Sequence, residues 1–327
     1  MNVRQSTRCA AALVLALGAG SAGARTIGIM GDSLSDTGNL SAALSSVSFG
    51  LVDIPSSDTY YQGRFSNGPI WVDYLESANP QWSVVSIAVG GAYTGRYGEV
   101  DNTGDNDFAA VPIFGGALQN AATGLASQRD SVPDLHGTDV SVVIWAGAND
   151  LLYAADLGYA TASDIVTQAI ANIGAAVDAM LAKGADGVYV VNMPDLGRTP
   201  RALVEGRQGE LTAAASLFNQ QLAIDVIDTA MGVRLIDVAT PFAALLDAPL
   251  DFGFTNVTQG CLDDLFDTTP CADAQGLLFW DELHPTTAGH AAIAQAFQDA
   301  LAPVPVPPAL PLLAGGLALL WRRRSAA

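Results

Sequence analysis

Five short runs of near-continuous hydrophobicity, spaced between longer Ala- and Leu-rich stretches, constrain the fold of this chain more than any other feature. They are Thr26–Met30, Val84–Ala88, Val140–Trp145, Val188–Asn192 and Arg234–Val238. A half-exposed strand alternates apolar and polar residues. A run such as VSVVIW does not, so these strands are expected to be buried on both faces. Between them, Ile70–Ser77, Ala117–Arg129, Ala162–Ala182, Thr212–Met231 and Thr286–Leu301 read as helices. Lys183 and Gly184 close one of these with the glycine common just past a helix end. Alternation of this kind predicts an α/β fold, a parallel sheet sandwiched between helices. Ligands of such sheets bind beyond the carboxyl ends of the strands, and the chemistry is sought there.

The two ends of the 327-residue chain read differently. Arg4 and Arg8 precede an apolar run from Cys9 to Gly20, and Ala22, Gly23 and Ala24 follow. Positive start, short apolar middle and small residues before the cut describe a secretory signal peptide over residues 1–24, with the mature chain starting at Arg25. At the far end come Pro303, Pro305, Pro307 and Pro308, an apolar stretch from Ala309 to Trp321, and the cluster Arg322, Arg323 and Arg324. That stretch would rise only about 20 Å as a helix, short of a ~30 Å bilayer core. Arginines beyond it would hold the preceding domain outside the cytoplasm. The tail resembles the PEP-CTERM class of sorting signals, in its VPLPA-type variant. It reads Val304-Pro305-Val306-Pro307-Pro308-Ala309 and lacks the Glu of the commonest form. The resemblance implies an exosortase-type processing enzyme in a Gram-negative cell, membrane contact through the C-terminal segment before processing, and removal or replacement of the tail. A plain C-terminal anchor is the alternative. The protein is thus expected to be exported to the periplasm, the cell surface or the medium. No internal repeat or low-complexity linker divides residues 25–302, which read as one domain.

Without its two ends the chain holds 9 basic and 33 acidic residues, a net charge of −24. A field of that sign repels nucleic acid and anionic membrane surfaces, which excludes nucleic-acid partners. Cys9 leaves with the signal peptide. Cys261 and Cys271 then form an even pair in an oxidising compartment, and a disulfide is the natural reading. Two thiols without a nearby His make a poor zinc site. The acidic stretch Asp101–Phe108 could hold calcium, but its spacing does not match the EF-hand loop, and a solvated loop is expected. Asp247–Cys271 reads as a second long loop.

Chemistry is suggested first by Gly31-Asp32-Ser33-Leu34, directly after the first strand. A serine there projects into the crevice, though such a serine is also a common helix cap. Of the three histidines, His136 sits on a predicted loop and His290 within the last helix, where core or surface roles are expected. His284 stands in Asp281-Glu282-Leu283-His284-Pro285. An Asp three residues upstream can accept the imidazole Nδ1–H and leave Nε2 free toward Ser33. As metal ligands the same pair would lack a convincing third partner. Gly90 and Gly91 follow the second strand, where glycine lets the backbone approach a substrate closely. Gly147-Ala148-Asn149-Asp150 follows the third.

Extended through Ser35-Asp36-Thr37-Gly38-Asn39, the first motif resembles block I of the SGNH/GDSL lipases and esterases. Gly91 matches the glycine of block II, Gly147 to Asp150 the G-x-N-D of block III, and Asp281 to His284 block V, with Trp280, Pro285 and Thr287 to His290 around it. The run from Gly63 to Leu75, GRFSNGPIWVDYL, is similar to one in the secreted lipase branch of that family. The resemblance implies a three-layer α/β/α, flavodoxin-like fold with a five-stranded parallel sheet. It implies an esterase or lipase with Ser33 as nucleophile, His284 as base and Asp281 as its partner. An oxyanion hole would be formed by the N–H groups of Ser33 and Gly91 and the amide of Asn149. No cofactor and no metal are implied. Asp32 and Asp150 are expected to be structural, and Ser86, where the family often has Asn, to alter local hydrogen bonding. Arg64 fits either a phosphate or carboxylate contact or a structural salt bridge. The acyl ester could be a lipid, a small ester or an acylated polysaccharide, with loops 40–70 and 245–275 expected to shape the acyl pocket. The alternative from another class is a surface-displayed binding or matrix protein keeping an inactive hydrolase fold.

Overall fold

The computed structural model describes residues 25–48, 50, 52–95, 123–153 and 162–302. Both chain ends and the Asp101–Phe108 segment considered for calcium lie outside the described residues. The sheet has five strands: β1 (Thr26–Gly31), β2 (Ser83–Ser86), β3 (Val140–Trp145), β4 (Gly187–Val191) and β5 (Val233–Ile236). All pair in parallel in the order β2-β1-β3-β4-β5, the flavodoxin-like arrangement. Strand period and double burial explain the runs of hydrophobicity. Along β3, Val142 and Ile144 point into one apolar layer while Val143 and Trp145 point into the other. Along β4, Val188 and Val190 face the first layer, and Tyr189 and Val191 the second.

Helices cover both faces. On one lie α3 (Leu125–Ser131), α5 (Ala162–Ala182) and α7 (Gln208–Asp225), which bury Leu125, Ile170, Ile173, Phe218 and Leu222 against the sheet. On the other lie α2 (Trp71–Ala78), α8 (Ala239–Asp247) and α9 (Thr287–Leu301). Trp71 of α2 stacks on Phe297 of α9 at 3.7 Å between ring centroids, next to Trp145 of β3. Short helices α1 (Asn39–Ser48), α4 (Ala148–Tyr153) and α6 (Pro200–Glu205) follow the ends of β1, β3 and β4.

Several expected boundaries shift. The helix expected over Thr212–Met231 starts at Gln208 and stops at Asp225. Asp228 then caps a separate 3₁₀ turn at Thr229–Met231, accepting from Ala230 N and Met231 N, because its side chain offers the backbone a turn in place of helix. β2 ends at Ser86, although Ile87 N and Val89 N still donate to Ile29 O and Gly31 O along the β1 edge. Of the helix expected at Ala117–Arg129, residues 117–122 lie outside the described ones. Helices α1, α4, α6 and α8 were not anticipated; all four are 10 residues or shorter and carry little periodic signal of their own.

Candidate active site

The site forms where β1, β2 and β3 end and where the turn before α9 reaches over them. Gly31 closes β1 because a side chain there would drive Cβ to within 2.0 Å of Trp145 O on β3. Buried Gln128 clamps its peptide, accepting from Gly31 N at 2.9 Å and donating to Gly31 O at 2.8 Å. The chain then turns sharply. Asp32 Oδ1 accepts from Leu34 N, and the Asp36 carboxylate accepts from Gly38 N, Asn39 N, Leu40 N and, across to the β2 loop, Gly90 N at 2.7 Å. Asp36 thereby starts α1 and ties two loops together. Burial pushes its carboxyl up to about 6, against the pull of these N–H groups.

Ser33 rides on this turn, 6% exposed. Its Oγ lies 2.8 Å from His284 Nε2, and His284 Nδ1 lies 2.7 Å from Asp281 Oδ2. The three side chains, drawn from segments 251 residues apart in sequence, form one hydrogen-bonded chain. The D-x-x-H spacing has a local reason. Trp280 N donates to His284 O and closes a tight turn, and Asp281 Oδ1 accepts from Leu283 N and His284 N inside it. One carboxylate oxygen thus builds the turn while the other faces the imidazole. Burial works to raise the Asp281 carboxyl, but the adjacent imidazole and these hydrogen bonds outweigh it and hold it below the usual range.

The remaining predicted residues gather at the same rim. Asn149, in the first turn of α4 and 4% exposed, donates from Nδ2 to Ala92 O at 3.0 Å, next to Gly91. Asp150 accepts from Thr94 N and Thr94 Oγ1, so α4 and the loop carrying Gly91 are fastened twice. Gly91 adopts φ +71°, a left-handed conformation suited to glycine. Ser86 Oγ donates to Ser35 O and accepts from Ala88 N. Asn39 Nδ2 donates to Ser86 O and Ala88 O. Local hydrogen bonding at Ser86 is therefore shared with Asn39. Asp32 is buried, and its Oδ2 has no hydrogen-bond partner among the described residues; burial raises its carboxyl to about 7. His290 is wholly buried in α9, and His136 is exposed beside Asp134.

The GRFSNGP run, for which sequence reasoning had no physical account residue by residue, buttresses the His284 turn. Ser66 Oγ donates to Pro285 O, Asn67 Oδ1 accepts from Thr287 N, and the Phe65 ring lies 5.0 Å from the imidazole. Arg64 forms a two-pronged pair with Asp73 of α2, at 2.6 and 2.8 Å, so it is a structural ion pair. Tyr60, just before this run, donates to Asp281 Oδ2 at 2.7 Å and was missed. No local motif marks it; only the fold brings it there. Cys261 and Cys271 are joined, and Cys261 N and Leu262 N donate to Trp280 O beside the turn.

Ser33 and His284 open onto a narrow, mainly apolar cleft. Its wall includes Trp145, Val238, Phe242, Phe279, Leu283 and Ile293. Among the described residues that line it, none comes from the loops at 40–70 and 245–275. The cleft runs between the strand ends and the α8/α9 layer because Val238 and Phe242 pack inward there.

Comparison with known proteins places this geometry in context. Residues 27–297 match the family described as GDSL-like Lipase/Acylhydrolase. The chain is similar to a phosphatidylcholine-sterol acyltransferase of Aeromonas hydrophila, 27% identical over 82% of this chain and 87% of the relative. It is also similar to a thermolabile hemolysin of Vibrio parahaemolyticus, 26% identical over 81% of this chain and 61% of the relative. Among solved structures, a carbohydrate acetylesterase from Sinorhizobium meliloti aligns with a TM-score of 0.46 at 14% identity, over 85% of this chain and 98% of that one.

Proposed function

The chain belongs to the GDSL-like lipase/acylhydrolase family, enzymes that act on ester bonds, and on that premise we propose that it is an exported serine carboxylic-ester hydrolase working through an acyl-enzyme. The observation that carries the reading is the continuous chain Ser33–His284–Asp281, at 2.8 and 2.7 Å. Ser33 Oγ attacks the ester carbonyl as His284 Nε2 takes its proton, and Asp281 stabilises the imidazolium that forms. The backbone N–H groups of Ser33 and Gly91 and the Asn149 amide hold the oxyanion. An amide carries two hydrogens, so the bond from Asn149 to Ala92 O is compatible with that role. His284 then protonates the leaving alcohol, and water releases the acid by the reverse steps.

The apolar cleft supports an acyl group larger than acetyl, since burying each methylene is worth about 0.8 kcal/mol. A panel of p-nitrophenyl esters from acetyl to palmitoyl tests this; highest kcat/KM on acetyl argues against it. Ser33→Ala should lower turnover by about 10⁶ and abolish labelling by a fluorophosphonate. Full activity in that variant removes Ser33 from the mechanism. A second reading, acyl transfer to an alcohol, is supported by the name of the Aeromonas relative. Mass spectrometry of products formed with a sterol or long-chain alcohol present distinguishes the two. Export is supported by the N-terminal pattern and by the Cys261–Cys271 pair, and a mature N-terminus at Arg25 is its test.

A further inference from the structure

Nothing in the ester-cleavage scheme uses Tyr60, yet its hydroxyl ends the chain that begins at Ser33. The side chain is 2% exposed and donates to Asp281 Oδ2, the same oxygen that faces His284 Nδ1. The other oxygen is occupied by Leu283 N and His284 N. A buried carboxylate thus has four hydrogen-bond partners, one of them from a residue 221 positions away. The direction of the bond is fixed. Burial and the Asp281 charge push the Tyr60 hydroxyl above the ordinary phenol range, so it stays a donor at any working pH. Phe65 and Trp280 hold the ring from two sides, each at 6.3 Å between centroids.

Resting on the serine-hydrolase reading, we propose that Tyr60 is a positioning residue of the reaction. Its hydroxyl fixes Asp281 and draws charge from the oxygen facing His284, which sets how readily the imidazole takes and returns the Ser33 proton. A hydrogen bond to a carboxylate is strongest when no cation shares that oxygen. Tyr60 therefore favours the Asp281–His284 pair in its unprotonated form, and without the hydroxyl the pair keeps its proton to higher pH. The other titratable and charged groups facing this chain are Asp32, Glu282 with Arg201, Asp264 and His290. All stay unchanged in a Tyr60 variant, so the difference reads the hydroxyl alone.

In Tyr60→Phe the acid limb of kcat/KM should move up by roughly 0.5–1 pH unit, with kcat down about 3–10-fold and KM unchanged. The low-field NMR resonance of the imidazole Nδ1–H should move further downfield, a readout that does not require ester turnover. Incorporation of 3-fluorotyrosine at position 60, a stronger donor of nearly the same shape, should move both readouts the opposite way, and it serves if the Phe variant does not fold. A Phe variant that only melts earlier, with acid limb and resonance where they were, makes Tyr60 mere packing and overturns the proposal. Wild-type protein and Ser33→Ala run in parallel. A wild type no faster than Ser33→Ala would end the hydrolase reading, while the NMR arm still decides whether Tyr60 governs the Asp281–His284 pair.

Discussion

At the scale of single residues, the site depends on carboxylates used twice. Asp281 builds a turn with one oxygen and orients an imidazole with the other. Asp36 caps α1 while fastening Gly90, and Asp150 joins α4 to the loop that carries Gly91. Each saves a separate structural residue at a crowded strand end. Asn149 has less freedom, being held by Ala92 O and by the first turn of α4. Asn149→Ala should therefore lower kcat about 10²–10³-fold with little change in KM, since the lost donor would act on charge that develops only in the transition state. Steady-state kinetics on a p-nitrophenyl ester measure this. A rise in KM at constant kcat would instead make Asn149 a ground-state contact.

At the scale of elements, the segment from Tyr60 to Asp73 behaves as a strut under the His284 turn. It reaches Asp281 through Tyr60, Pro285 through Ser66 and Thr287 through Asn67, and it is anchored to α2 by the Arg64–Asp73 pair. Asp73 also accepts from Ile70 N at the start of α2, so the ion pair and the helix cap share one carboxylate. Arg64→Met leaves that carboxylate, only 22% exposed, without its cation. Stability should fall by roughly 1–3 kcal/mol, visible as a lower urea midpoint. If Arg64 is structural, KM for anionic and neutral esters should change alike. A selective rise in KM for anionic substrates would restore the substrate-contact reading.

For the whole molecule, the burial that shapes the site also sets how stability varies with pH. Asp32 and Asp150 hold their protons to about 7, against 3.8 in the unfolded chain. Between those values unfolding releases protons, so their contribution declines as pH rises through that window. His290 has the opposite sign. Burial lowers it to about 3 from 6.5, and neither ring nitrogen has a hydrogen-bond partner among the described residues. Below pH 6.5 the unfolded chain takes up a proton that the folded one refuses, so stability is lost as pH falls from 6.5 toward 3. Asp281, held low, adds to the loss on the acid side. His290→Leu should keep stability at neutral pH and lose less of it on acidification, by about 1 kcal/mol per pH unit below 6.5. Melting curves at pH 4.5, 6 and 8 test this, and parallel slopes for variant and parent would refute it.

The sequence by itself determined the layers and several of the residues that gather at the strand ends. Period-two burial on both faces leaves its mark as unbroken apolar strands, and β3 and α5 match their expected bounds; Ser33, Asp281 and His284 stood out by residue type and spacing, and Asn149 only by its resemblance to the G-x-N-D block. Short helices such as α4 and α6 were not legible, because 6 residues are too few for a helical period to show. The wall of the cleft and the partners of the His284 turn were decided only by tertiary structure. Phe242, Ile293, Tyr60 and Asn67 are ordinary residues in their local sequence, and their roles exist only once distant segments pack together. Which side chain meets a carboxylate across 221 residues is a property of the fold, carried by no local pattern.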